Sequence, residues 1–162
     1  MLDTQNLPHS KNNENMNKLL AFFSSKIGKD SSDSISPLMQ WLNPSLQSAA
    51  EGKLEFLHTI RKEMTNPMHM LHGGITAAII DDAIGAAVYS LDNTHAFTTV
   101  NLNVDYFSPA KEGDQIIAET NITKKGRQIM NAECLVWNSD KSKLIAKGNS
   151  NLIKAKLRLR TT

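Results

Sequence analysis

Ile75-Thr76-Ala77-Ala78-Ile79-Ile80-Asp81-Asp82-Ala83-Ile84-Gly85-Ala86-Ala87-Val88-Tyr89-Ser90-Leu91 is the stretch from which the fold can be read. Ala, Ile and Val fall on nearly every side of a 3.6-residue turn, and a helix that is apolar all round is a buried helix. Gly73-Gly74 leads into it and Asp92-Asn93 ends it. Its neighbours read as strands. Over 54–60, Leu54, Phe56, His58 and Ile60 share one face by a period of two, and Asn66-Pro67 breaks the run. Beyond the helix, strands are predicted over 97–107, 115–123, 128–137 and 144–153. The turns between them are Ser108-Pro109 with Glu112-Gly113-Asp114, then Lys124-Lys125-Gly126, then Asn138-Ser139-Asp140. Short turns predict an antiparallel meander. One strand, one buried helix and four more strands make an α+β layout, with one antiparallel sheet wrapped around one long helix.

Outside that unit the chain changes character. Residues 1–17 are rich in Asn, Gln, Lys and Ser and are expected to be a disordered tail. Residues 18–52 form an N-terminal helical extension. Within it, an amphipathic helix is predicted over 16–27, ending near Gly28, then a polar linker over 29–36, then a helical turn over 37–42 before Asn43-Pro44. The domain proper is 53–155, and 156–162 is a basic tail. Lys154, Lys156, Arg158 and Arg160 alternate there as a solvated strand end.

Composition narrows the function classes. A 40% hydrophobic share over 162 residues suits one domain with a real core. Eighteen basic against sixteen acidic residues leave a net charge of +2, which is no nucleic-acid footprint. Cys134 is the single cysteine, so no intrachain disulfide forms, and a lone thiol fits a reducing cytoplasm. The N-terminus lacks the apolar stretch of a signal peptide. No apolar run is read as reaching the roughly 20 residues that span a bilayer, so no membrane partner is expected. His58, His69 and His95 have no spacing with Cys or Glu that makes a metal set. Cys134 lies inside an apolar strand and reads as packing.

The chemistry is concentrated between Asn66 and Asp82. Gly73-Gly74 sits where the buried helix begins, and the first N–H groups of a helix lack internal acceptors and carry partial positive charge. Glycine lets a ligand oxygen approach them, which makes an oxyanion or carbonyl-polarising site. Asn66, upstream in the same loop, can donate a second hydrogen bond. Asp81 and Asp82 stand in the middle of a buried helix, where an unpaired charge is costly. Periodicity does not choose between them, since both lie on apolar sides. Gly73 and Asp81 are eight residues apart, about 12 Å at ~1.5 Å per residue. One chain cannot bring both to one substrate atom, whereas two antiparallel helices across a two-fold axis can.

Asn66, His72-Gly73-Gly74, Asp81 and Tyr106-Phe107-Ser108-Pro109-Ala110, in that order, resemble the hotdog-fold thioesterase superfamily, and most closely its phenylacetyl-CoA-thioesterase-like branch. The resemblance covers roughly 54–153. It implies a hotdog fold and metal-free hydrolysis of acyl-CoA thioesters with no cofactor. It also implies a homodimer, often paired into a homotetramer. By position, Asn66 and the Gly73 N–H resemble the carbonyl-polarising groups. His72 resembles the residue near the leaving thiolate or supporting that loop. Asp81 resembles the general base or nucleophile, and Thr99 the residue that helps hold the attacking water. Asp82 is a departure from the pattern. Gly74, the basic hairpin residues Lys124, Lys125 and Arg127, and Gly148 are candidates for contact with CoA. The hairpin also reads as a solvated tip, and Gly148 as a bulge. Two other functions fit the same scaffold: a non-catalytic acyl-CoA-binding module, and an acyl-thioester hydratase or dehydratase.

Overall fold

A computed structural model describes residues 9–92 and 94–156. Its elements are α1 (His9–Ser24), α2 (Pro37–Leu42), β1 (Ser45–Ala50), β2 (Lys53–Thr59), a 3-10 turn (Lys62–Met64), α3 (Gly73–Leu91), β3 (Phe97–Tyr106), β4 (Gln115–Lys125), β5 (Ile129–Asn138) and β6 (Leu144–Lys154). The predicted tail over 1–8, the helix-ending residue Asn93 and the basic end over 157–162 lie outside the described residues.

The six strands form one antiparallel sheet in the order β1-β2-β4-β5-β6-β3. Strands β4, β5 and β6 are the expected meander. Strand β3 departs from it. It pairs with β6 along its whole length, from Phe97 opposite Lys154 to Tyr106 opposite Ala146, and forms the far edge. Helix α3 and strand β2 account for the difference. The helix lies across the sheet, its exit delivers the chain to one edge, and β4 returns to pair with β2.

Alternation in β4 and β5 is strict where the sheet faces α3. Ile116, Ala118, Met130, Ala132, Cys134 and Val136 are buried, with less buried residues between them. From the helix, Ile79, Ile80, Ala83, Ile84, Ala87 and Val88 enter the same core. Gly148 in β6 is what allows the helix to sit so close. A Cβ there would stand 2.4 Å from Ile80 Cγ2. Gly148 is buried, and the missing side chain seats Ile80 of the helix against the strand.

Three further expectations are revised. Residues 9–17, placed in the tail, belong to α1, which begins at His9 and ends at Ser24. Ser45–Ala50, placed in the helical extension, is an edge strand paired with β2. And α3, at 19 residues, is by length and composition long enough to cross a bilayer, although here its apolar surface is spent on the sheet. The turn at 37–42 is α2 as predicted. Ser36 caps it by accepting the Met39 N–H at 3.2 Å, Pro37 occupies the first turn, and Asn43 ends it in the left-handed region at φ 47°.

His58 points into the core from β2, buried, with neither ring nitrogen hydrogen-bonded. Burial, aided by the Arg61 charge, pushes its pKa down to about 3, so it packs as a neutral ring. Burial likewise pushes the Cys134 thiol up, out of reach of a reactive thiolate.

Candidate active site

The loop before α3 is held rigid by its own backbone. Asn66 N–H donates to Met70 O, His69 N–H to Asn66 O, Leu71 N–H to Ala110 O and His72 N–H to Met64 O. Asn66 Oδ1 accepts from the N–H groups of Met68 (2.9 Å) and Met70 (3.2 Å). Both acceptor directions of the amide are thereby used, and its NH₂ is the part left to donate.

At the helix start, His72 is the N-cap, and its Nδ1 accepts the Gly74 N–H at 2.9 Å. With Nδ1 accepting, Nε2 is the ring's donor. This bond also consumes the Gly74 N–H, which is therefore not a free donor for a ligand. The Gly73 N–H has no acceptor among the described residues. Tyr106 completes the mount. Its hydroxyl donates to Gly73 O at 2.8 Å, and its ring lies 3.5 Å from where a Gly73 Cβ would be. The family resemblance assigns Tyr106 no role. The contact joins the end of β3 to the start of α3, across 33 residues of sequence, and nothing in a linear reading marks it.

Asp81 and Thr99 are brought together. Thr99 Oγ1 donates to Asp81 Oδ1 at 2.9 Å. Asp81 is half-buried and Thr99 exposed. Asp82, one residue on and about 100° around the helix, meets a different partner. Ser36 Oγ donates to Asp82 Oδ1 at 2.8 Å, while Oδ2 is buried without a hydrogen bond. Burial raises the Asp82 pKa against the pull of the Ser36 bond, and the neighbouring Asp81 charge raises it further. The Ser36 contact was absent from the sequence reading, because 46 residues separate the partners.

The structure also separates what the sequence separated. Along β3, Tyr106 marks the helix start and Thr99 marks the acid, seven residues apart. Within one protomer Gly73 and Asp81 do not converge. The hairpin bearing Lys124, Lys125 and Arg127 is exposed and follows Ile122, which stands near Leu91 at the far end of α3. It is about 27 Å of helix rise from Gly73.

A sheet wrapped on one long helix, with a capped His-Gly-Gly helix start and a Thr-bonded Asp two turns on, defines the hotdog class. The chain belongs to the thioesterase superfamily, whose family model matches residues 68–145. It is 34% identical over 104 residues to acyl-coenzyme A thioesterase 13 of Mus musculus, covering 64% of this chain and 74% of that protein. Two solved structures share its architecture. Zebra fish thioesterase superfamily member 2 is 26% identical with a TM-score of 0.68, covering 86% of this chain and 96% of that one. The E. coli PaaI protein from the phenylacetic acid degradation operon is 18% identical with a TM-score of 0.74, covering 88% and 99%.

Proposed function

We propose that the protein hydrolyses acyl-CoA thioesters to free acid and CoA, in a site assembled from two copies of the chain. The Gly73 N–H and the Asn66 NH₂ of one protomer polarise the thioester carbonyl. Asp81 of the other protomer, oriented by the Thr99 hydroxyl, supplies the acid. The observation that carries this reading is the Thr99–Asp81 hydrogen bond, which points an otherwise costly mid-helix carboxylate away from the core.

In the base form of the mechanism, Asp81 takes a proton from water as the water oxygen bonds to the carbonyl carbon. In the nucleophile form, Asp81 attacks directly and water cleaves the resulting anhydride. In the base form the C–S bond breaks as the tetrahedral intermediate collapses, and in the nucleophile form it breaks as the anhydride forms and before water attacks. In both, CoA leaves as a thiolate to which the His72 Nε2–H is assigned as hydrogen-bond donor. Negative charge developing on the carbonyl oxygen is met by Gly73 and Asn66.

Pairing is supported by the sheet edges. The β1 edge is partly closed by the preceding loop, where Gly28 N–H donates to Leu46 O and Leu46 N–H to Lys29 O. Among the described residues, the ten-residue β3 edge has no such cover. It presents Val100 at 63% exposure and runs into Tyr106 and Phe107 at 55% and 57%. A long edge strand with unpaired N–H and C=O groups is a template for another chain. On this reading β3 meets β3 of a second copy across a two-fold axis, and such dimers pair into a tetramer.

The test is thiol release over a panel of acyl-CoAs from short aliphatic through aromatic to long chain, with Asp81→Asn alongside. Hydrolysis lost in the variant supports the proposal. Binding of CoA esters without thiol release in the wild type would move the chain to a non-catalytic binding role.

A further inference from the structure

A cavity of about 340 Å³ lies between α3 and the N-terminal extension. That volume is in the range of small-molecule sites. Its floor is the far half of α3, including Asp82, Gly85, Ala86 and Tyr89, and its roof includes Phe22 and Phe23 of α1 and Met39 of α2. The thioester chemistry described above uses none of these side chains.

Two lining residues stand close to the acid along their own elements. Gly85 lines it and stands one helical turn beyond Asp81, on the same side of the helix. A Cβ at Gly85 would meet nothing within 4 Å, so the helix surface at that position is free for a ligand to lie against. On β3, Phe97 lines the cavity and is two residues before Thr99, hence on the same face of the strand as the residue that holds Asp81. From Asp82 to Asp92, both of which line it, the cavity follows ten residues of α3, or about 15 Å.

The walls suit an apolar, flexible guest. Aromatic and aliphatic side chains dominate, and Phe23 meets Tyr89 edge-on at 6.4 Å between ring centroids. The roof is fastened to α3 by the Ser36–Asp82 hydrogen bond, and the Lys26–Asp33 ion pair braces the extension internally. The raised pKa of Asp82 favours its neutral form beside an apolar neighbour.

We propose that this cavity holds the distal part of a straight-chain acyl group of roughly ten to twelve carbons, so that the N-terminal extension sets chain length. The inference rests on the thioesterase reading for the direction from which the chain enters, and the test separates the two. Lauroyl-CoA and butyryl-CoA are compared by kcat/KM in the wild type, in Ala86→Leu, which fills the cavity, and in Phe23→Ala, which enlarges it. Binding of free dodecanoate to Asp81→Asn and to Asp81→Asn with Ala86→Leu is measured by titration calorimetry.

The expected results are a lauroyl-to-butyryl ratio that falls about tenfold or more in Ala86→Leu, and a preference that moves to longer chains in Phe23→Ala. Dodecanoate should bind at one site per protomer and weaken about tenfold when the cavity is filled. Opposite shifts in the two variants do not arise from loss of folding. Hydrolysis with an unmoved ratio in both variants and no dodecanoate binding overturns the cavity proposal and leaves the thioesterase reading standing. Stoichiometric dodecanoate binding, sensitive to Ala86→Leu, without hydrolysis of any acyl-CoA, upholds the cavity and overturns the thioesterase reading.

Discussion

Asp81 and Asp82 are neighbours on one helix, yet the molecule puts them in two different regions. On the β3 side, Asp81 is held by Thr99 next to an uncovered strand edge. On the other side, Asp82 is held by Ser36 beneath the N-terminal extension, with one oxygen buried and unbonded. The same functional group is a candidate catalyst in the first region and a latch in the second. The residues do not differ in chemistry, so the difference comes from what the rest of the chain lays over each face. Pairs of carboxylates in unlike surroundings commonly divide their roles in this way.

The largest expected effect divides the two regions directly. Asp81→Asn should lower kcat by about 10²–10⁴-fold, the scale of a lost general base, with an unchanged circular dichroism spectrum. Asp82→Asn should cost less than about tenfold, because an amide still accepts the Ser36 bond. Steady-state thiol release on both variants checks this, and equal losses would erase the comparison.

Next in size is the strand edge. Val100→Lys places a charge where β3 is proposed to meet its copy, a substitution that blunts edge pairing. Sedimentation should show a monomer, and activity should fall by about tenfold or more with the loss of shared sites. A monomer with full activity would detach Asp81 from any partner.

The two hydroxyl partners sharpen the contrast at smaller scale. Thr99→Ala should lower kcat by about tenfold while moving the melting temperature little. Ser36→Ala should do the reverse, since it removes both the α2 cap and the Asp82 bond, at about 1 kcal/mol or somewhat more. Thermal melts paired with kinetics distinguish them.

The smallest effect is a pH slope. Asp82 has a folded pKa above its ordinary value, so the fold holds its proton more tightly than the unfolded chain does. Its favourable contribution is therefore complete below the ordinary carboxylate range and lost as pH rises through the raised folded value. Denaturant melts from pH 4 upward should show this decline in the wild type and a flatter profile in Asp82→Asn.

How much of this was legible beforehand follows from sequence distance. Helix α3 and the strands β2, β4, β5 and β6 were readable because burial imposes a period on consecutive residues. The stretch proposed as the site stood out because Asn66, His72, Gly73 and Asp81 fall within sixteen residues. Strand β1 was missed because Ser-Leu-Gln-Ser-Ala-Ala carries one buried residue and little β-branched character. The start of α1 was missed because a polar Asn-rich segment has no apolar period to announce a helix. The placement of β3, the Tyr106–Gly73 bond, the Ser36–Asp82 latch and the packing role of Gly148 are pairings between distant segments, settled only when the sheet closes on the helix.

The central claim is that each catalytic site draws on two protomers, and subunit mixing tests it most directly. Asn66→Ala and Asp81→Asn, each nearly inactive alone, are co-expressed so that protomers assort at random. If Asn66 of one chain serves Asp81 of the other, every mixed dimer regains one intact site, and the population recovers about a quarter of wild-type activity. Activity no higher than that of the two variants measured separately would place the whole site within one chain and contradict the account.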